Sequence, residues 1–154
     1  MACEIVTTDR AVFALWGKPE AEDFNKVLAA LQTVFKQSGK AALYVTRVPV
    51  DAPAPSPEVR KHLDTLMPKF VDLCSTYHVI LEGQGFLAAL KRGVLTSLFQ
   101  IRWRRGTFFV HATSNEVALS LPSQDQVRAA EILRAAQRKG YLSGSGPAGM
   151  SASA

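Results

Sequence analysis

Two runs set the architecture of this chain: Ala41-Ala42-Leu43-Tyr44-Val45-Thr46-Arg47-Val48, stopped by Pro49, and Tyr77-His78-Val79-Ile80-Leu81, followed by Glu82-Gly83-Gln84-Gly85-Phe86. Both read as strands, and the first is near-continuous in strand-forming residues, the pattern of a strand covered on both faces. Each leads into a helix. After the first, the loop Val50–Ser56 is stiffened by Pro53 and Pro55, and Ser56-Pro57-Glu58 supplies a hydroxyl cap, a first-turn proline and a first-turn acid. Val59, Leu63, Leu66, Phe70 and Cys74 then mark a buried stripe, and Pro68 is expected to kink or restart that helix. After the second run, Phe86–Ile101 is the most apolar helix of the chain, with Phe86, Leu87, Leu90, Val94, Leu95, Leu98 and Phe99 covering a wide arc. Strand ends followed by helices place their turns along a shared rim, where open α/β sheets bind ligands and partners.

Working outward, Cys3–Thr7 and Ala11–Trp16 read as an antiparallel hairpin around Thr8-Asp9-Arg10. From Glu20 the period becomes helical, through Phe24, Val27, Leu28, Leu31, Val34 and Phe35, until Gly39 ends the helix. Downstream, Thr107–Ala112 is a fifth strand and Asn115–Leu121 a short helical turn. Gln124–Lys139 is a last helix, whose apolar positions are Val127, Ala130, Ile132, Leu133 and Ala136. Residues 1–141 thus form one α/β domain with a mixed sheet of five strands, in the order β-β-α-β-α-β-α-β-α. The Gly/Ser/Ala-rich stretch Leu142–Ala154 is expected to be a disordered tail.

Composition narrows the function classes. The chain has 154 residues, 47% of them hydrophobic, which suits one core and leaves no room for a second. No apolar run approaches the ~20 residues of a bilayer span, and the first residues lack the basic head of a signal peptide, so a cytoplasmic location is expected. Cys3 and Cys74 are too few for a disulfide framework and read as reduced thiols. The formal charge of +5 favours acidic partners, with much of the excess in Arg102, Arg104 and Arg105 beside Lys91 and Arg92.

The opening hairpin, the element order and a capped helix directly after the third strand resemble the STAS domain, the family of bacterial anti-sigma-factor antagonists. The resemblance covers Cys3–Lys139. It implies a non-enzymatic bacterial regulatory module that works through protein contacts, with a phosphorylatable serine capping the helix after the third strand. Ser56 occupies that cap, although Asp51 stands five residues before it where the family places the acid two residues away.

Four clusters are weighed for chemistry. Gly83-Gln84-Gly85-Phe86-Leu87-Ala88 fits G-x-G-x-x-A between strand and helix, the context of a dinucleotide fingerprint, but also that of a plain tight turn. Cys74 and His78 stand four apart with His62 nearby, while His111 sits on another strand without an evident companion, short of a zinc ligand set. Arg102-Trp103-Arg104-Arg105 suits phosphates and stacking, yet is too short for a nucleic-acid stripe; nucleic acid is not expected. Ser56 is a phosphorylation candidate or simply a cap.

The expected function is a non-catalytic, cytoplasmic regulatory or scaffold module, not an enzyme, with no metal and no cofactor. Its partner, an acidic or regulatory protein, is expected to meet the rim through Asp51, Ser56, Arg60, Gly83, Gly85 and Phe86, together with Arg102, Arg104 and Arg105. The apolar Phe86–Ile101 helix is expected to pair two copies as a homodimer. The alternative is a nucleotide- or lipid-binding protein using the Gly83–Phe86 turn.

Overall fold

Strand pairing and helix burial in the computed structural model, which describes residues 3–100, 102–103 and 106–142, place a five-stranded mixed sheet at the centre of the protein. The strands are β1 (Glu4–Thr7), β2 (Ala11–Leu15), β3 (Ala42–Arg47), β4 (Cys74–Ile80) and β5 (Phe108–His111), and they lie side by side in chain order. β1 is antiparallel to β2, while β2, β3, β4 and β5 run parallel. Helices α1 (Ala21–Ser38), α2 (Pro57–Leu73) and α3 (Phe86–Gln100) make the crossovers between parallel strands. A short α4 (Asn115–Leu119) and α5 (Ser123–Arg138) complete the described residues.

Alternation along the strands sorts the core into two layers. Val12, Ala14, Tyr44, Tyr77, Val79 and Phe108 face the layer built by α1, α2 and α3. On the other side, Phe13, Leu43, Val45 and Ile80 pack with Val117, Ala129, Ile132 and Leu133 of α4 and α5. All the parallel crossovers therefore lie on one face, and the strand order never reverses. A sheet of this kind has no switch point, so its rim lacks the crevice that doubly wound sheets use for ligands.

Local signals place the helices. The buried Asp23 carboxylate accepts the Glu20 N–H at 3.1 Å and the Cys3 N–H at 3.3 Å, fixing the start of α1 against the first strand. Gly39, at φ 72°, closes α1 by donating its N–H to the Phe35 carbonyl at 2.7 Å. The expected break at Pro68 does not restart α2, which continues from Pro57 to Leu73. Met67 and Phe70 on either side of the proline are both buried, and their packing holds the axis together where one hydrogen bond is missing.

Three further readings are corrected by the packing. Cys74 opens β4 instead of ending the helical stripe, and Met67 takes its place on that stripe. In α5 the inward positions are Ala129, Ile132, Leu133 and Ala136, with Val127 turned to solvent. Leu142, read as the start of the tail, is buried in the α5 layer; residues 143–154 lie outside the described residues. No helix among the described residues is long and apolar enough to cross a membrane.

Candidate functional site

Because β3 and β4 are parallel neighbours, the connections that follow them emerge at the same end of the sheet. This brings Asp51, Ser56 and Arg60 to the same margin as Gly83, Gly85 and the backbone of Phe86. Side chains of α3 tie the two loops together: Lys91 Nζ donates to the Val50 carbonyl, and Arg92 Nη1 donates to the carbonyls of Leu81 at 2.9 Å and Gly83 at 3.1 Å. Arg47 Nε adds an ion pair to Glu82 at 2.7 Å. Gly83 and Gly85 have φ of 125° and 96°, a left-handed region that favours glycine, so the turn itself accounts for both. Ser56 Oγ accepts the Val59 N–H at 3.2 Å and serves as the α2 cap.

The basic cluster falls elsewhere. In a parallel sheet the α3–β5 connection enters at the amino ends of the strands, opposite the margin that carries Asp51 and Gly83. Arg102 there pairs with Asp64 of α2. Trp103 is 5% exposed and packs 5.0 Å from the Tyr77 ring, so its indole offers no face for stacking a base. Arg104 and Arg105 lie outside the described residues.

Beside the rim, α3 turns an apolar stripe outward. Leu87, Leu90 and Val94 are 60%, 51% and 50% exposed, whereas Ala88 is buried and Leu95 and Phe99 pack against the core. Between the large side chains, Ala89, Gly93 and Ser97 form the floor of a shallow groove, and an added Cβ on Gly93 would meet nothing within 4 Å.

A second feature lies on the α5 side of the sheet, toward the amino ends of β3, β4 and β5. Here α5 packs across β1 and β2, and beside it a cavity of about 310 Å³ opens over the starts of β3, β4 and β5. Leu43, Phe109, Leu121 and Pro122 supply its apolar walls; Ser75, Thr76 and Ser120 supply hydroxyls; Arg10, Arg128 and Asp125 supply charge. Arg128 Nη1 bonds Asp125 Oδ1 at 3.1 Å, which neutralises that pair. Arg10 has no such counter-ion among the described residues. Its Nη2 makes one long bond to the Ala41 carbonyl at 3.5 Å, and its buried Nε finds no acceptor among the described residues. A buried donor left unpaired costs about 1–3 kcal/mol.

Thr76 is also one end of a buried polar chain. His78 Nε2 lies 3.0 Å from Thr76 Oγ1, and His78 Nδ1 lies 2.9 Å from His111 Nε2. His111 Nδ1 in turn lies 3.7 Å from the Glu116 carboxylate, which also accepts the Ala112 N–H at 3.1 Å. Because a carboxylate only accepts, it sets the direction of the whole chain: His111 Nδ1–H faces Glu116, His78 Nδ1–H donates to His111, and the Thr76 hydroxyl donates to His78. Burial pushes the His78 pKa down to about 3, helped by the neighbouring His111, and burial lowers His111 as well against the pull of Glu116. Phe109 stacks on the His78 ring at 4.9 Å.

In outline, hydroxyl, imidazole and orienting group follow the order of a nucleophile–base relay. The chemistry does not follow. An imidazole held near pKa 3 is a weak base at neutral pH and removes a hydroxyl proton poorly.

Sequence reasoning linked His78 to Cys74 and left His111 without a companion. The structure does the reverse. β3 and β4 pair Ala42 with Cys74 but Leu43 with Thr76, so a bulge at Ser75 shifts the alternation. Cys74 then faces the α2 layer, while Thr76 and His78 face the other side with His111. His62 bonds Asn25 of α1 at 2.8 Å, far from this group in the fold. The usable signal was the pairing of two strands each carrying one histidine, which a parallel register makes adjacent.

In comparisons with protein-family models, curated proteins and solved structures, the chain matched none.

Proposed function

We propose that this protein is a non-catalytic interaction module that works by binding protein, with α3 and the adjoining loop margin as its contact surface. One observation carries the reading: among the exposed large apolar side chains, Leu87, Leu90 and Val94 occur at i, i+3 and i+7 on one helix, making a continuous stripe. The STAS-like element order and the weak basicity of His78 agree with a module that binds without turning over a substrate.

The occupant of the stripe is a second copy of the chain. Leu90 and Val94 project beside the groove floored by Ala89, Gly93 and Ser97, so the surface offers both knobs and a hole and is complementary to itself across a two-fold axis. The nearest cations do not oppose such pairing, because Lys91 and Arg92 fold back onto carbonyls of their own chain. Asp51, Ser56, Arg60 and the Gly83–Gly85 turn then rim the contact, where a partner protein reads the assembled pair.

Light scattering coupled to size exclusion tests this directly. Wild type is expected as a concentration-dependent dimer, Leu90→Lys as a monomer, and Gly93→Leu as a monomer with an intact fold because the added side chain enters open space. A wild type that stays monomeric at high concentration, or variants that dimerise like wild type, refutes the self-pairing reading.

A further inference from the structure

The geometry points to a ligand site in the cavity between the β3–β5 face and the start of α5: it binds a small organic monocarboxylate, its head held by Arg10 and its apolar body against Phe109, Leu43 and Leu121. Four observations support this. The volume of about 310 Å³ is at the small end of the range for metabolite sites. The Arg10 guanidinium lines the cavity with a buried Nε that has no acceptor among the described residues, and a carboxylate oxygen satisfies such a donor with a charge-assisted bond. The remaining side chains of the lining are three hydroxyls and four apolar groups, which suits a head and a body rather than a bare ion. Charge then selects the head: Arg128 is already neutralised by Asp125, so among the described residues the cavity holds one uncompensated positive charge, and the Asp125 carboxylate opposes a dianion.

Thr76 orients the head further. Its proton is committed to His78, so the oxygen presents lone pairs, and it favours a ligand donor over a second carboxylate oxygen. A hydroxyl or amino substituent near the carboxylate therefore fits, and the ligand class narrows to hydroxy or amino derivatives of a compact, apolar acid.

Amide chemical shifts of the full chain, titrated separately with benzoate, mandelate, phenyl phosphate and benzyl alcohol at millimolar concentrations, test the site. Benzoate and mandelate are expected to shift Thr76, Phe109 and Leu121, with mandelate the tighter, and benzyl alcohol at least tenfold weaker than either. Arg10→Gln is expected to weaken benzoate at least tenfold. Asp125→Asn, which frees Arg128, is expected to favour phenyl phosphate over benzoate relative to wild type. Wild-type protein alone decides the matter should Arg10→Gln fail to fold. The proposal is overturned if no carboxylate shifts these residues, if benzyl alcohol matches benzoate, or if wild type prefers phenyl phosphate. None of these readouts depends on self-association through α3.

Discussion

Acidification from pH 7.5 to 5 is the perturbation that the buried histidine pair answers most directly. Above pH 6.5 both the folded and the unfolded chain carry His78 neutral, and the residue adds no pH dependence. As pH falls below 6.5, the unfolded chain takes up a proton that the folded chain refuses until about pH 3, where His78 is held by burial and by His111. The unfolded state then binds more protons, so stability decreases with falling pH, by about 1.4 kcal/mol per unit and about 2 kcal/mol by pH 5. His111, lowered in the same direction, adds to the loss. The charged groups that face the pair do not rescue it: Glu116 is half-exposed and stands beside His111, not His78. Against a typical stability of 5–15 kcal/mol, a change of this size is readily measured. Urea unfolding at several pH values gives the slope, and His78→Leu is expected to flatten it. In parallel, the His78 ring signals in NMR spectra should stay at their neutral positions down to pH 5. A stability that is level across this range, or a His78 ring titrating near 6.5, refutes the buried neutral pair.

Two smaller perturbations test the frame around the sites. Ser56→Ala removes the acceptor for the Val59 N–H and is expected to cost about 1 kcal/mol in urea unfolding, with no effect on the benzoate titration. Both thiols should be slow toward a disulfide reagent in the folded protein and fast in denaturant: Cys3 and Cys74 are buried, and burial together with the nearby Asp23 charge pushes the Cys3 thiol up to about 12. Rapid labelling of folded protein contradicts that packing.

Much of the architecture was legible because local signals and hydrophobic period agreed. The capped start at Ser56-Pro57-Glu58, the stop at Gly39 and the two apolar runs at β3 and β4 each had one reading, and the element order followed from them. Pro68 misled because propensity speaks only of the chain's own backbone, whereas Met67 and Phe70 are held by the sheet. Val127 and Ala130 misled for a related reason: α5 is sparse in large apolar residues, and a rotation of one position satisfies its pattern almost equally well. The rim at Asp51 and Gly83 was legible as well, since two parallel strands must end together. Arg102 was not part of it, because a helix-to-strand connection belongs to the opposite end.

The cavity and the histidine chain were hidden for one geometric reason. Read from sequence, the α2 stripe ends at Cys74 and the strand starts at Tyr77, so only a spacing of four links Cys74 to His78. β4 in fact begins at Cys74, and strict alternation from there would put Cys74, Thr76, His78 and Ile80 on one face. One extra residue at Ser75 breaks that parity, sending Cys74 to the α2 layer and leaving Thr76 and His78 beneath the α4–α5 corner. The bulge thus does two things at once: it lines the cavity with Ser75 and Thr76, and it starts a polar chain whose other end, Glu116, reaches the surface at the carboxyl margin. With neither histidine charged at neutral pH, that chain holds a fixed direction of hydrogen bonds across the sheet face. A ligand seated against Thr76 therefore meets a pre-oriented acceptor instead of a rotating hydroxyl, and the orientation persists only while His78 remains neutral. Binding in the cavity by the folded protein should accordingly hold from pH 7.5 to 5, where His78 stays neutral, even as the stability falls, and the two measurements together test the same pair of side chains.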